Sequence, residues 1–186
     1  MRVDRLLAGG LALFALAVLP PLGSFLQSRL PYVVLLQYPL IIAGGILIGR
    51  HLAAKGAVAW TAAPALAAGV LALAFWLLPR WIDAALADPL TGLARALTLW
   101  LLAGVPLGWG WTMAGPVLRA WFLANVASML IVMGWLQLVV PQRLCNAYLL
   151  SDQRTLGAGF LLLAAGMVLT VLLQAMAGPR LRNAEV

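Results

Sequence analysis

Residues 155–177 read TLGAGFLLLAAGMVLTVLLQAMA, a run of 23 residues without one charged side chain. A helix of about 20 apolar residues is long enough to cross the hydrocarbon core of a bilayer, which is about 30 Å thick. Backbone groups left unpaired in lipid cost several kcal/mol each, so such a segment must be helical. The run therefore predicts a transmembrane helix.

The rest of the chain has the same character. Of its 186 residues, 65% are hydrophobic and 9% are charged, and the mean hydropathy is +1.03. A soluble domain carries about 25% charged residues, so composition excludes a soluble fold. We predict an all-α, polytopic membrane helical bundle that forms one integral membrane domain over residues 1–186. Six spans are expected, at about 6–26, 30–49, 57–78, 91–113, 117–139 and 155–177.

The twelve basic residues do not cluster, although the net charge is +7. They stand singly or in pairs near the ends of apolar runs, as topology-setting charges do beside lipid headgroups. This pattern predicts contact with the lipid bilayer and no nucleic-acid partner. With the N-terminus in the cytoplasm, seven basic residues fall inside and five outside. We therefore predict cytoplasmic termini and a multi-pass protein of the bacterial inner membrane; the outer set is Arg29, Arg80, Arg95, Arg143 and Arg154.

Several motifs refine the spans. The first apolar run continues to Leu26, which favours a retained signal anchor over a cleaved signal peptide. Pro20-Pro21 should break this first helix. The second span contains Pro39, and neighbouring helices are needed to satisfy the carbonyl that this proline frees, so we predict that the second span lies inside the bundle. The loop PRWIDAALADPL, residues 79–90, has apolar residues at helical spacing, so we predict a short interfacial helix. Asp88-Pro89 then reads as an N-cap followed by proline in the first turn of span four.

Polar and sulfur-containing side chains form a stripe on span five. Asn125, Met129, Met133 and Gln137 recur every four residues, which places them along one face of a helix. Thioether sulfurs suit Cu(I), and Cys145 near the outer mouth of the span could add a thiolate. Met129, Met133 and Cys145 are therefore the candidate metal ligands, with copper as the candidate ion. The alternative is that the methionines fill gaps between helices, the amides hydrogen bond across them and Cys145 is a half-buried apolar residue.

No constellation for catalysis is recognisable in the sequence. The only histidine, His51, is expected in a cytoplasmic loop, and every charged residue is expected near a span end. Trp76 and the other tryptophans near span ends are expected in the interfacial belts. No nucleophile elbow, phosphate loop or carboxylate pair is found, so we predict a non-enzymatic protein with no catalytic residues. The absence of a charge at mid-depth argues against an ion-driven transporter.

The run SDQRTLGAGFLLLAAG, residues 151–166, resembles a signature of the CtaG family of cytochrome c oxidase assembly factors. Asp152, Gln153 and Gly157 stand where that family has an Asp-Gln pair and a glycine at the outer start of a helix. The stretch LLQYPLIIAGG of span two faintly resembles an early helix of the family. The resemblance implies a role in assembling or metal-loading a respiratory complex. The chain departs from the family in having six expected spans where the family typically has seven, and in lacking histidines at outer helix ends.

Three functions follow as alternatives. The first is an accessory protein for assembly or metal loading of a cytochrome oxidase-like complex, acting on other membrane subunits, with Asp152 and Gln153 as candidate residues. The second is a structural subunit of a larger membrane complex. The third is a small-solute permease whose path is lined by Gln37, Tyr38, Thr98, Asn125 and Gln174. Without any family, Asp152 or Ser151 would cap span six, and Arg154 would pair with Asp83 or Asp88.

Overall fold

A computed structural model describes residues 2–56 and 61–177, and the regular structure in these ranges is helical. This confirms the all-α class. The helices are α1 (Arg2–Val18), α2 (Leu22–Leu26), α3 (Leu30–Ala53), α4 (Ala62–Trp76), α5 (Pro79–Ala87), α6 (Pro89–Met113), α7 (Pro116–Val139) and α8 (Leu150–Ala177).

Four of these helices, α3, α6, α7 and α8, are long and apolar enough to cross a membrane. A fifth span results if α4 and α5, which meet at a bend of 67°, are counted as one broken span. The chain is thus a multi-pass membrane protein with four or five candidate spans. Helix α1 ends at Val18 and α2 begins at Leu22, so the predicted break at Pro20-Pro21 is confirmed. Residues 57–60, at the start of the expected third span, lie outside the described residues.

Helices α3 and α6 form the centre of the bundle and pack through glycine. A Cβ atom on Gly104 would lie 2.6 Å from the carbonyl oxygen of Ile42 and 2.7 Å from the Cα atom of Gly45. A Cβ atom on Gly49 would overlap the carbonyl oxygen of Val105. Residues without a side chain allow this approach, as is common where helices associate in lipid.

Each of the two central helices contains one π-helical turn just before a proline. The turn covers Val33–Gln37 ahead of Pro39 in α3, and Leu99–Gly104 ahead of Pro106 in α6. In a regular α-helix, proline lacks the N–H that would bond to the carbonyl four residues earlier, and its ring clashes with that carbonyl. A π turn is wider than an α turn, so it moves that carbonyl relative to the proline ring. Helix α3 therefore continues through Pro39. It is the most buried of the four long helices, which confirms the predicted interior position.

The segment between α4 and α6 contains the predicted short helix, α5, whose Ile82 and Ala85 are buried. Asp88 follows α5 and caps α6, which confirms the predicted cap. Its carboxylate accepts hydrogen bonds from the backbone N–H groups of Leu90, at 3.3 Å, and Thr91, at 2.9 Å. The Thr91 hydroxyl also donates to it at 2.6 Å, and these hydrogen bonds, that of the hydroxyl first, lower the pKa of Asp88.

Helices α7 and α8 form an antiparallel hairpin. Gly134 and Gly157 face each other, because a Cβ atom on either one would lie 2.9 or 2.8 Å from the carbonyl oxygen of the other. Helix α7 is the least buried of the four long helices, so most of its surface is left for lipid or for another protein.

Candidate functional site

Three large polar side chains are buried together between α3 and α6. Gln37 and Tyr38 stand at the end of the π turn of α3, and Arg95 is in the second turn of α6. Their exposed fractions are 2%, 1% and 2%. Arg95 is six residues past Pro89, which corresponds to about 9 Å along a helix of 1.5 Å rise per residue. The cluster therefore lies within two candidate spans and away from their ends.

Arg95 is the central residue of this cluster, and its Cζ atom lies 5.7 Å from the ring centroid of Tyr38. Its Nε and Nη1 atoms are buried and have no hydrogen-bond partner among residues 2–56 and 61–177. The nearby loop carboxylates are engaged elsewhere: Asp88 caps α6, and Asp83 accepts the backbone N–H groups of Asn146 and Ala147 at 2.8 and 3.2 Å. Arg95 was expected at a span end; it lies in the second turn of α6, and its side chain is buried inside the bundle. The expectation that the spans hold no buried charge is wrong.

The hydroxyl of Tyr38 begins a chain of hydrogen bonds that joins α3, α4 and α6. It donates to the carbonyl oxygen of Trp76 at 3.0 Å. The indole Nε1 of Trp76 donates to the Thr98 hydroxyl at 2.7 Å, and this hydroxyl donates to the carbonyl oxygen of Ala94 at 2.7 Å. Trp76 is 6% exposed, so its expected place in an interfacial belt is wrong. The chain fixes the ring beside Arg95 and satisfies every polar group along it.

Gln37 presents one free acceptor to the same region. Its Nε2 atom donates to the carbonyl oxygen of Ala17 in α1 at 3.0 Å. A carbonyl oxygen can only accept, so the amide must place its NH₂ on that side and its oxygen on the other. The Oε1 atom is buried and has no hydrogen-bond partner in the described part of the chain.

A cavity of about 330 Å³ lies against these groups. It is bounded by the end of α1, the outer half of α3, helix α5 and the first two turns of α6. Its lining residues include Gln27, Gln37, Leu86, Gly92, Leu93 and Arg95. Small-molecule sites begin at about 300 Å³, so the cavity suits a ligand of a few heavy atoms. Arg95 and Gln37 both line it, and a cationic side chain beside such a cavity suits an anionic ligand.

The sulfur-containing side chains predicted to bind copper lie elsewhere, along α7. Met129 and Met133 line an apolar groove between α4 and α7, and Met133 and Cys145 line a separate cavity of about 10 Å³. No one of these cavities is lined by all three residues. Two sulfur ligands beside a cavity with room for about one water molecule make a poor copper site. In the described parts of the chain there is no group of three His, Cys, Asp or Glu side chains that could bind a metal ion. Copper binding at Met129, Met133 and Cys145 remains a prediction.

Cys145 is 5% exposed, and burial, followed by the nearby Asp83 carboxylate, raises the pKa of its thiol from about 9 to about 12. The thiolate is the nucleophile and the metal ligand, so the folded protein should keep this sulfur inert. We expect iodoacetamide to label native protein in detergent slowly at every pH from 7 to 9, although the rate should rise about tenfold per pH unit because the thiolate fraction does so below the pKa. Protein unfolded in dodecyl sulfate should be labelled rapidly, with the rate rising towards pH 9. Rapid labelling of native protein at pH 7 would contradict this assignment, and mass spectrometry of the intact chain measures it.

Asp152 and Gln153 begin α8 and are buried. Helix α8 starts at Leu150, earlier than predicted, so Asp152 lies inside the first turn, where its charge favours the helix dipole. The Oε1 atom of Gln153 accepts the backbone N–H of Leu144 at 2.9 Å. Its Nε2 atom lies 3.3 to 3.5 Å from the carbonyl oxygens of Gln137, Val140 and Gln142. Gln153 thus ties the outer loop to α8, which gives this residue a structural role. Arg154 is exposed, and in the described residues the two carboxylates expected to pair with it bind backbone N–H groups.

The remaining predicted positions are placed as follows. Asn125 is exposed on α7, and its Nδ2 atom donates to the carbonyl oxygen of Trp121 in its own helix at 2.9 Å. His51 lies within α3 and is 3% exposed, so its expected loop position is wrong. The side chain of Gln174 lies outside the described residues. Of the path residues, Gln37, Tyr38 and Thr98 come together around Arg95, and Asn125 does not.

The sequence contained one signal for Arg95 that was missed. The Asp88-Pro89 cap fixes the start of α6, and counting from the cap places Arg95 in the second turn of a membrane helix. The predicted span began at residue 91 and not at Pro89, which placed Arg95 closer to the end of the span. Comparison with protein-family models, curated proteins and solved structures finds no match for this chain.

Proposed function

We propose that the protein is a membrane carrier that binds a small oxyanion beside Arg95. One observation carries this proposal: Arg95, whose buried Nε and Nη1 atoms have no hydrogen-bond partner among the described residues, is one of the residues that line a cavity of about 330 Å³. Arginine keeps its charge in proteins, and an uncompensated buried charge costs several kcal/mol. An anionic ligand would offset that cost. Ionisable residues that line intramembrane cavities commonly mark substrate pathways.

The two central helices support a carrier over a rigid binding protein. Both contain a π turn and a proline next to the cavity, and transporter sites are typically built where membrane helices are irregular. The close glycine contacts between α3 and α6 bring these two irregular segments side by side. A ligand at Arg95 would touch both.

In this proposal the chain crosses a bacterial inner membrane six times, with both termini in the cytoplasm. The first span comprises α1 and α2, and the third comprises α4 and α5. The seven-to-five distribution of basic residues supports this orientation. The cavity would then be in the outer half of the membrane.

Transport in liposomes tests the function directly. Purified protein is reconstituted, and uptake of radiolabelled lactate and of radiolabelled phosphate is measured down a concentration gradient. We expect uptake of at least one of them above protein-free liposomes, lost in the Arg95→Met variant and kept in Arg80→Met. Arg80 is an exposed arginine of α5 and serves as the matched control. Uptake of both solutes at the protein-free rate would refute the carrier role.

The other roles drawn from the sequence remain proposals of lower rank. Assembly or metal loading of an oxidase rests on the resemblance of residues 151–166 and the fainter one of LLQYPLIIAGG, and Gln153 already has a structural role. A subunit role has one supporting observation, the largely unburied α7, which offers a face to another membrane protein. Co-purification of other membrane subunits in mild detergent would favour it.

A further inference from the structure

We infer that the ligand of the Arg95 cavity is a small oxyanion that carries its own hydrogen-bond donor, as in a 2-hydroxy acid or a hydrogen phosphate. This inference rests on the proposed function and names the substrate class. It starts from Gln37 and from the direction in which its amide is fixed.

The two side chains differ in the hydrogen-bonding atoms that they leave unpaired: donors on Arg95 and an acceptor on Gln37. Arg95 offers N–H donors, which an oxyanion satisfies. Gln37 offers Oε1 as an unpaired acceptor, and one N–H of its NH₂ group donates to the carbonyl oxygen of Ala17, which fixes the direction of the amide. An oxyanion without a proton, such as a simple carboxylate or sulfate, would place oxygen against oxygen or leave Oε1 unpaired. A ligand with a hydroxyl beside its charged group satisfies Arg95 and Gln37 together.

The free-energy cost of leaving Oε1 of Gln37 unpaired determines how strongly the site should prefer a ligand with a hydroxyl over one without it. A site that hydrogen bonds a substrate hydroxyl rejects the analogue without it, because the buried group is then left alone. A loss of this kind corresponds to at least about tenfold in affinity. The same Oε1 atom should accept a hydrogen bond from a 2-hydroxy acid or from hydrogen phosphate, since both present an O–H group.

Two matched pairs of probes test the inference on purified protein in detergent, by calorimetry or by tryptophan fluorescence. Lactate is compared with propionate, which has nearly the same size but no hydroxyl. Phosphate is compared with sulfate, which has the same shape but no proton at pH 7. We expect one donor-bearing probe, or both, to bind at least about tenfold more tightly than its partner. A preference within one pair alone identifies the class as carboxylate or phosphate.

Substitution of Gln37 assigns the preference to its amide. In Gln37→Met the preference should fall to about one, while Arg95 still holds propionate or sulfate. Gln142→Met, in an exposed loop position, should keep the full preference. Equal binding within both pairs by wild-type protein would overturn this inference and leave the carrier proposal standing. Failure of all four probes to bind would refute the anion site itself. The wild-type ratios decide the question even if Gln37→Met fails to fold.

Discussion

Replacing Arg95 with methionine should raise the unfolding temperature of the purified protein by several degrees and reduce oxyanion binding by about a hundredfold or more. Two contributions to stability oppose each other here. The guanidinium loses its contact with the ring of Tyr38, and such contacts contribute about 0.5–2 kcal/mol. Removing a buried charge without a partner gains several kcal/mol, so stabilisation should win, by about 1–4 kcal/mol. Binding falls because two charged hydrogen bonds of about 1.5 kcal/mol or more each are lost.

Two further variants separate charge from packing in this experiment. Arg95→Lys keeps the charge but loses the planar array of donors, so it should retain weak binding without the gain in stability. Arg80→Met removes an exposed arginine and should change neither quantity. Both quantities are read from thermal unfolding in detergent, with lactate or phosphate against sodium chloride at equal ionic strength. A clear destabilisation by Arg95→Met would mean that the arginine is held by partners inside the protein, and the anion site would lose its main support.

Gly104→Ala should strongly destabilise the bundle, lowering the free energy of unfolding by about 3 kcal/mol. The new Cβ atom would lie 2.6 Å from the carbonyl oxygen of Ile42 and 2.7 Å from the Cα atom of Gly45. Both of these atoms belong to the backbone of α3, so no side chain can turn away to make room. Helices α3 and α6 must therefore separate, which also opens the cluster around Arg95.

Gly166→Ala is the matched control for this methyl group. Gly166 lies in α8, where an added Cβ atom meets nothing within 4 Å. Alanine favours a helix over glycine by up to about 1 kcal/mol, so this variant should be as stable as the wild type or more so. Thermal unfolding followed by circular dichroism measures both. Equal stability of Gly104→Ala and wild-type protein would show that α3 and α6 do not pack as described.

Features that depend on neighbouring residues in the chain were predictable from the sequence. The Asp88-Pro89 cap, the break at Pro20-Pro21 and the short helix α5 each follow from local backbone chemistry. The all-helical class follows from the hydrocarbon environment, which leaves a helix as the way to pair the backbone of an apolar segment.

The candidate site depends on which side of each helix faces inward, and local chemistry does not determine this. A helix that is apolar all round has no amphipathic pattern to indicate its buried face. Arg95 and Trp76 were placed by their distance from span ends, yet contacts with α3 and α6 bury them. Gln37 and Tyr38 were identified as polar residues of a span, but their role depends on an arginine almost sixty positions away.

The loop at residues 140–149 is held by hydrogen bonds to three other parts of the chain. Gln153 of α8 and Asp83 of α5 both hold its backbone, and the Tyr148 hydroxyl donates to the carbonyl oxygen of Gln27 at 3.1 Å. These hydrogen bonds join the loop to α8, to α5 and to the segment after α2. At the opposite end an apolar groove of about 480 Å³ separates α4 from α7. One end of the α7–α8 hairpin is therefore joined by hydrogen bonds to α5 and to the segment after α2, and at its other end α7 stands apart from α4 across this groove.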